Sequence, residues 1–189
     1  MVSATELSTL SDEELFERIR LNDEQAFRVL YRRYDRRLYA YCLRVVRDPD
    51  LAQDVFQTVT LAIYEKRDSF TGGNFSSWLF TVARHAALKA AQKQTRELVS
   101  HAPVEEAEEI PADMNPEAPD TSLHAALQKS LAKLPQEFRE PLELRYFQEC
   151  SYEEISRILG INLSLTKVRI FRAKQMLQKH MSPYIQELQ

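Results

Sequence analysis

The sequence has little of what punctuates turn-rich folds. Only 3 glycines occur in 189 residues, too few for a glycine-rich phosphate loop or a turn-dense all-β architecture. Its 2 cysteines, Cys42 and Cys150, lie far apart with no CxxC, which excludes a disulfide framework and a cysteine-rich zinc site. No run approaches the roughly 18 consecutive apolar residues that a membrane span needs, so no membrane insertion is expected. The opening MVSATELSTLSDEELFERIR lacks a basic start followed by an apolar stretch and does not read as a secretory signal. The expected compartment is a reducing cytoplasm. Catalytic signatures are missing too. His85, His101, His124 and His180 form no HExxH pair, and neither GxSxG nor a P-loop occurs. A non-enzyme without metal or cofactor is expected, with Cys42 and Cys150 most simply helix-packing thiols.

What is present is the balance of a soluble globular protein, 44% hydrophobic and 28% charged, long enough for one large domain or two small ones. The net charge of −3 conceals a division. Residues 1–99 carry 15 basic and 14 acidic side chains, and residues 122–189 carry 10 and 7. Between them, residues 100–121 (SHAPVEEAEEIPADMNPEAPDT) carry 7 acids and no Lys or Arg. The mildly acidic whole therefore does not argue against nucleic-acid binding by its parts. That middle segment has Pro103, Pro111, Pro116 and Pro119 and no aromatic residue, so it reads as a flexible linker or a plain solvated spacer. Two modules remain, 1–99 and 122–189.

Both modules read as helical, giving an all-α fold of two domains. Ser11 and Glu14 form a capping box ahead of a helix at 12–21. From Asp23, the residues Phe27, Leu30, Tyr34, Leu38, Tyr41 and Val45 recur at helical steps and predict one buried face. Asp48-Pro49-Asp50 breaks and restarts the chain, and Ala52, Val55, Val59 and Ile63 stripe the next helix to about Arg67. A turn over Asp68–Asn74 holds Gly72-Gly73. A long helix follows with Trp78, Leu79, Val82, Ala86 and Ala90 expected inward. In the second module a helix at 122–133 precedes Leu134-Pro135, with the proline at a first helical position. Another helix runs to about Gln148. Ser151 and Glu154 make a second capping box before a helix at 152–159. Gly160 suits a left-handed cap, and Asn162 caps a final helix at 163–180. Two helices joined by Gly160-Ile161-Asn162 form a helix-turn-helix.

On the final helix, Thr166, Ile170, Ala173 and Leu177 fall on the packing side. Ser164, Leu165, Val168, Phe171, Arg172 and Gln175 point away, flanked by Lys167, Arg169 and Lys174. Such a face suits a major groove, where arginine reads guanine and cations bind phosphate. Leu165, Val168 and Phe171 suit thymine methyls, sugars or a protein partner; a solvated basic helix is the bland alternative. In the first module His85, Lys89, Lys93 and Arg96 make a second basic stripe. Phe70, Asn74, Phe75, Ser76 and Trp78 cluster around the glycine turn beside it. Aromatics beside cations can hold unstacked bases, although a tryptophan and phenylalanines at helical positions more often belong to a core, Trp78 more so than Phe75.

These residues resemble a known family. LAKLPQEFREPLELRYFQECSYEEISRILGINLSLTKVRIFRAKQML is similar to region four of bacterial sigma factors. AFRVLYRRYDRRLYAYCLRVVRDPDLAQDVFQTVTLAIYE with FSSWLFTVARHAALK is similar to region two. Two such regions joined by a linker resemble the extracytoplasmic-function (ECF) group, over about residues 11–182. The resemblance implies a subunit that binds core RNA polymerase and directs promoter-specific initiation. Region two would dock on the β′ clamp helices and open the minus-ten element; region four would bind the β-flap and read the minus-thirty-five duplex. The acidic linker would run through the active-site cleft and RNA exit path. By motif position, clamp binding falls on Asp50, Asp54, Gln57, Thr58 and Leu61. Strand opening falls on Gly72, Gly73, Asn74, Phe75, Trp78, Arg84, His85 and Lys89. Duplex readout falls on Ser164, Leu165, Lys167, Val168, Arg169, Phe171 and Arg172, with Ser151 and Tyr152 near phosphate.

Three departures from the family pattern stand out. Gln53 and Thr58 occupy positions where glutamates are common, which suggests weak intrinsic core affinity and a regulatory kinase acting at Thr58 or Thr60. Lys89 replaces a frequent aspartate, and the basic run after it is diluted to AAQKQTR. Leu165 and Val168 replace small polar residues, which suggests a minus-thirty-five element richer in thymine. An anti-sigma factor is a further partner of this class. The alternative function is a two-domain helix-turn-helix transcription regulator that is not a polymerase subunit; a protein-binding adaptor is a third class.

Overall fold

A computed structural model describes residues 4–70, 72–101 and 121–186. These fall into two compact units, one ending at residue 106 and one beginning at 107. Residues 102–120, most of the expected linker, lie outside the described residues.

The first unit contains α1 (Ala4–Thr9), α2 (Asp12–Arg20), α3 (Glu24–Val46), α4 (Pro49–Glu65), a 3-10 turn at Arg67–Ser69 and α5 (Phe75–His101). Local chemistry sets the boundaries. The Ser11 hydroxyl accepts from the Glu14 N–H at 3.2 Å, and the Glu14 carboxylate accepts the Ser11 N–H at 2.8 Å, completing the expected capping box. Asp23 opens α3 by accepting the N–H groups of Gln25 and Ala26 at 3.0 and 3.1 Å. Arg47 ends α3 in the left-handed region at φ 57°. Asp48 caps α4 through the Leu51 N–H at 2.9 Å, with Pro49 in the first turn, where its missing N–H costs nothing.

Leu30, Tyr34, Leu38 and Tyr41 of α3 meet Val55, Val59 and Ile63 of α4 and Leu79, Phe80, Ala83 and Ala87 of α5 in the core. The small α5 residues Ala83 and Ala87 let the neighbouring helices approach closely. Arg33 ties the N-terminal helices down, donating to an Asp12 carboxylate oxygen at 2.6 Å and to the Ser8 and Leu10 carbonyls at 2.7 and 2.8 Å. The Tyr34 hydroxyl donates to the other Asp12 oxygen, and burial followed by that carboxylate raises its pKa.

Several expectations shift. α1 carried no sequence signal. On α3 the buried face runs through Ala26 and Val46 while Phe27 and Val45 are half-buried. Phe27 turns outward to the rings of Tyr31 and Tyr64. On α5, Phe75, Leu79, Phe80, Ala83 and Ala87 are buried, and Trp78, Val82, Ala86 and Ala90 are half-buried. Apolar residues surround the first turns of α5, so its rotation is fixed by where Phe75 is anchored and not by periodicity.

The second unit contains α6 (Thr121–Ala132), α7 (Gln136–Tyr146), α8 (Tyr152–Leu159) and α9 (Leu163–Gln186). Leu131, Leu134, Leu142, Leu144, Ile155, Ile158, Ile170 and Met181 form its core. Each such side chain contributes roughly 1.5–3 kcal/mol of burial against the entropy of ordering. Pro135 sits one place earlier than expected, as the cap before α7, with ψ 143°. α7 stops at Tyr146, where Phe147 donates back to the Glu143 carbonyl at 2.9 Å and Glu149 turns at φ 54°. α9 runs on through Pro183, past the expected end. Cys42 is buried within α3; Cys150 is buried in the turn before α8 and not in a helix.

Candidate nucleic-acid interface

In the second unit, three devices hold the turn between α8 and α9. Gly160 adopts φ 65°, which an L side chain would occupy only with strain. The Asn162 side-chain carbonyl accepts the Leu165 N–H at 2.8 Å. The Ser156 hydroxyl donates to the Ile161 carbonyl at 2.5 Å. The turn thereby fixes how α9 leaves α8, and α9 then buries Thr166, Ile170 and Ala173. Ser164, Leu165, Lys167, Val168, Phe171 and Arg172 are exposed, with Phe171 60% accessible. No acidic residue occurs anywhere on α9. Its free face is an apolar ridge at 165, 168 and 171 with Lys167 and Arg172 beside it. Arg169 differs. It is half-buried, and its guanidinium donates to the Glu137 carboxylate of α7 at 3.3 Å.

At the start of α8, the Ser151 hydroxyl accepts the Glu154 N–H at 3.1 Å and its N–H donates to the Glu154 carboxylate at 2.5 Å. The Ser151 O–H remains able to donate. The Tyr152 ring lies 5.1 Å from the Arg145 guanidinium, which also donates to the Cys150 carbonyl at 2.8 Å. The Lys174 ammonium sits 4.9 Å over the exposed Tyr146 ring, and hydrogen bonding to Tyr146 raises its pKa. Arg145 and Tyr146 carry no local sequence signal, because α7–α8 and α7–α9 packing alone brings them beside the candidate face.

In the first unit, Gly72 and Gly73 are exposed with φ of 101° and 97°, and a Cβ at either would meet nothing within 4 Å. Backbone conformation, not space, requires glycine there. The Asn74 side chain accepts the Ser77 N–H at 2.7 Å and so starts α5. Phe75 does not belong with the exposed candidates. Its side chain is fully buried against Phe16, Phe70 and Tyr34, because the helix that follows the glycines turns it inward. Trp78 is half-buried on the same cluster, 5.8 Å from Phe75. Arg84 is half-buried, while His85 and Lys89 are exposed and continue through Lys93 and Arg96 along α5. At 1.5 Å per residue His85 lies about 15 Å beyond the start of α5, so the loop and the basic stripe occupy successive stretches of one element.

On α4, Asp50, Asp54, Gln57 and Leu61 are exposed at steps of three and four and share one face. Thr58 is exposed beside them, its hydroxyl donating to the Asp54 carbonyl at 2.9 Å. Thr60 is not a surface site: its hydroxyl is enclosed without a hydrogen-bond partner in a small cavity lined by Leu30, Tyr31, Leu38 and Phe56. Among the described residues no cluster of His, Cys, Asp or Glu is arranged to hold a metal, and no helix is long and apolar enough to cross a membrane.

Sequence comparison accounts for both units. Residues 30–97 match the family described as Sigma-70 region 2, and residues 124–177 match Sigma-70, region 4. The RNA polymerase sigma factor CarQ of Myxococcus xanthus is 31% identical over 86% of this chain and 93% of its own length. The chain belongs to the sigma-70 family, in its ECF group. This sigma factor is also 28% identical to the RNA polymerase sigma-H factor of Pseudomonas aeruginosa, over 96% of this chain and 99% of the relative. It is 29% identical to the ECF RNA polymerase sigma-E factor of Escherichia coli K12, over 93% and 97%. Among solved structures, RpoE of Bartonella quintana, determined with the anti-sigma factor NepR, superposes with a TM-score of 0.61 at 28% identity, covering 77% of this sigma factor and 89% of that chain. CnrH, determined with the cytosolic domain of CnrY, shares the fold at 20% identity and a TM-score of 0.67, covering 91% and 97%. Sigma factors are non-catalytic polymerase subunits. The function of this one is to direct promoter-specific transcription initiation by core RNA polymerase.

Proposed function

We infer that this sigma factor divides its work between two surfaces. Residues 122–189 read the minus-thirty-five duplex with the α9 face of Ser164, Leu165, Lys167, Val168, Phe171 and Arg172, while Ser151, Tyr152 and Lys174 engage the neighbouring backbone. Residues 1–99 open the minus-ten element with the Gly72–Asn74 loop, with Trp78 beside it and Arg84, His85 and Lys89 tracking the freed strand along α5. The α4 face of Asp50, Asp54, Gln57 and Leu61 takes the β′ clamp helices, and the second unit takes the β-flap. The chain works in the cytoplasm and catalyses no reaction of its own. An anti-sigma factor is a fitting partner, and exposed Thr58 is the only one of the two α4 threonines open to a kinase.

The observation that carries this reading is the acid-free, exposed face of α9 on a turn held by Gly160, Asn162 and Ser156. A basic face of that kind gains affinity from phosphate and selectivity from base edges. Arg172→Ala in the holoenzyme should weaken upstream promoter contacts by about 1–3 kcal/mol and relax base preference at one position. Lys167→Ala should weaken all sequences alike and lower the salt slope by about 1. Footprints indifferent to both substitutions would assign the face to a protein partner instead.

A further inference from the structure

Three consecutive acids open α2, and each has a different partner. Asp12 holds Arg33 and Tyr34 of α3. Glu14 closes the capping box on Ser11. Glu13 reaches α5: its carboxylate accepts the backbone N–H of Phe75 at 2.9 Å, across 62 positions of sequence. That N–H belongs to the first turn of α5, where no intrahelical acceptor exists. Asn74 serves the Ser77 N–H two residues on. The exit from the Gly72-Gly73 loop is therefore fixed by one carboxylate from α2 and one amide from the loop itself.

The same face of α2 holds the rest of the loop. Phe16, three residues after Glu13, is fully buried with its ring 5.0 Å from Phe70 and 5.1 Å from Phe75, the two residues at which the loop leaves and re-enters the core. Arg20, four residues later, approaches Asp68 at 4.0 Å ahead of the loop. Residues 13, 16 and 20 follow helical spacing and so form one ridge. α2 also precedes residues 30–97, the span matched by Sigma-70 region 2.

We propose that α2 is the base plate of the minus-ten loop and that Glu13 is a positioning residue for strand opening, acting through the Phe75 N–H on the exposed Gly72–Asn74 segment. Between its buried roots the loop has two glycines in left-handed conformations and nothing packed around their Cβ positions. The two glycines have no side chains to pack, so presentation of the loop to an unstacked base depends on how its ends are held, by Glu13 and Asn74 on the α5 side. Losing the Glu13 acceptor frees the start of α5 while leaving the α4 face and the second unit untouched. The proposal rests on the assignment of the loop to the minus-ten element.

The test is promoter opening by the reconstituted holoenzyme, followed by 2-aminopurine fluorescence in the minus-ten region. It compares wild type with Glu13→Ala, Glu13→Gln, Glu13→Asp and Asn74→Ala, on duplex promoters and on the same promoters with a pre-opened bubble. Glu13→Ala is expected to slow opening of the duplex about tenfold, the upper scale of one ordinary hydrogen bond. Core affinity and transcription from the bubble template should stay near wild type. Glu13→Gln, which keeps an acceptor oxygen at the same reach, should restore opening. Glu13→Asp, one methylene too short, should not, and it keeps the charge of the first turn should the alanine variant fold poorly. Wild-type opening by Glu13→Ala and Glu13→Asp overturns the proposal, as does an equal loss on duplex and bubble, which marks a merely structural role. If Asn74→Ala also opens promoters normally, the assignment of the loop itself has failed.

Discussion

Phe16→Ala removes the α2 ring against which Phe70 and Phe75, at the two ends of the loop, are packed. The ring is fully buried and contacts Phe70, Phe75 and Trp78, with centroids 5.0, 5.1 and 5.5 Å away. Removing a buried phenylalanine costs about 3–5 kcal/mol, partly as lost transfer energy and partly as the cavity left behind. Aromatic pairing adds to area burial, and three pairs vanish together, which places the cost in the upper part of that range. A domain of this size has about 5–15 kcal/mol of stability to lose. With a urea slope of about 2 kcal/mol/M, the unfolding midpoint should fall by about 2 M. The assay is internal: Trp78 is the only tryptophan of the chain and touches the mutated ring, so its fluorescence reports the first unit alone. A midpoint within about 0.3 M of wild type, by the same slope, would refute the view that this cluster anchors the loop.

Other outcomes follow from named groups. Glu14, Asp23 and Asp48 all have pKa values lowered chiefly by backbone N–H donors, from Ser11, Ala26 and Leu51 respectively. A carboxylate depressed in the fold stabilises above its unfolded value, so the first unit should lose stability as pH falls through and below about 4. Asp48→Asn, which keeps the cap without the charge, should flatten part of that fall in acid titrations followed by Trp78. Burial pushes the Cys42 thiol up to about 12, so alkylation of the native protein should be slow at neutral pH and accelerate in urea. Rapid native labelling of Cys42, located by peptide mapping, would contradict its placement. In the second unit, Ser151→Ala removes the acceptor for the Glu154 N–H and should lower stability by about 1 kcal/mol, read by circular dichroism in urea. Gly160→Ala forces an alanine to φ 65° and should destabilise by about the same amount; an unchanged midpoint would contradict the left-handed cap.

What the sequence made legible was local. Capping boxes at Ser11 and Ser151, the left-handed Gly160 and the Pro49 restart each involve residues within a few positions, and the structure places them as expected. The free face of α9 was legible for a related reason. A narrow packing stripe of Thr166, Ile170 and Ala173 leaves little freedom in the helix's rotation. On α5 the expected stripe of Trp78, Leu79, Val82, Ala86 and Ala90 was broader and only its Leu79 is buried, because the helix's rotation follows from the burial of Phe75 under α2. An aromatic beside two glycines looks the same in a binding loop and in a core, so Phe75 was legible as important but not as buried. The Glu13–Phe75, Arg33–Asp12 and Arg169–Glu137 contacts join distant positions and leave no periodic trace. α1 is too short to show a period at all.

The central claim is that this chain gives core RNA polymerase its promoter specificity. Purified core polymerase should be mixed with the full chain and a library of promoter fragments, and transcript starts mapped with and without the chain. The account predicts stable association and starts confined to a defined subset of fragments only when the chain is present. Failure to associate with core, or a start profile unchanged by adding the chain, would contradict it.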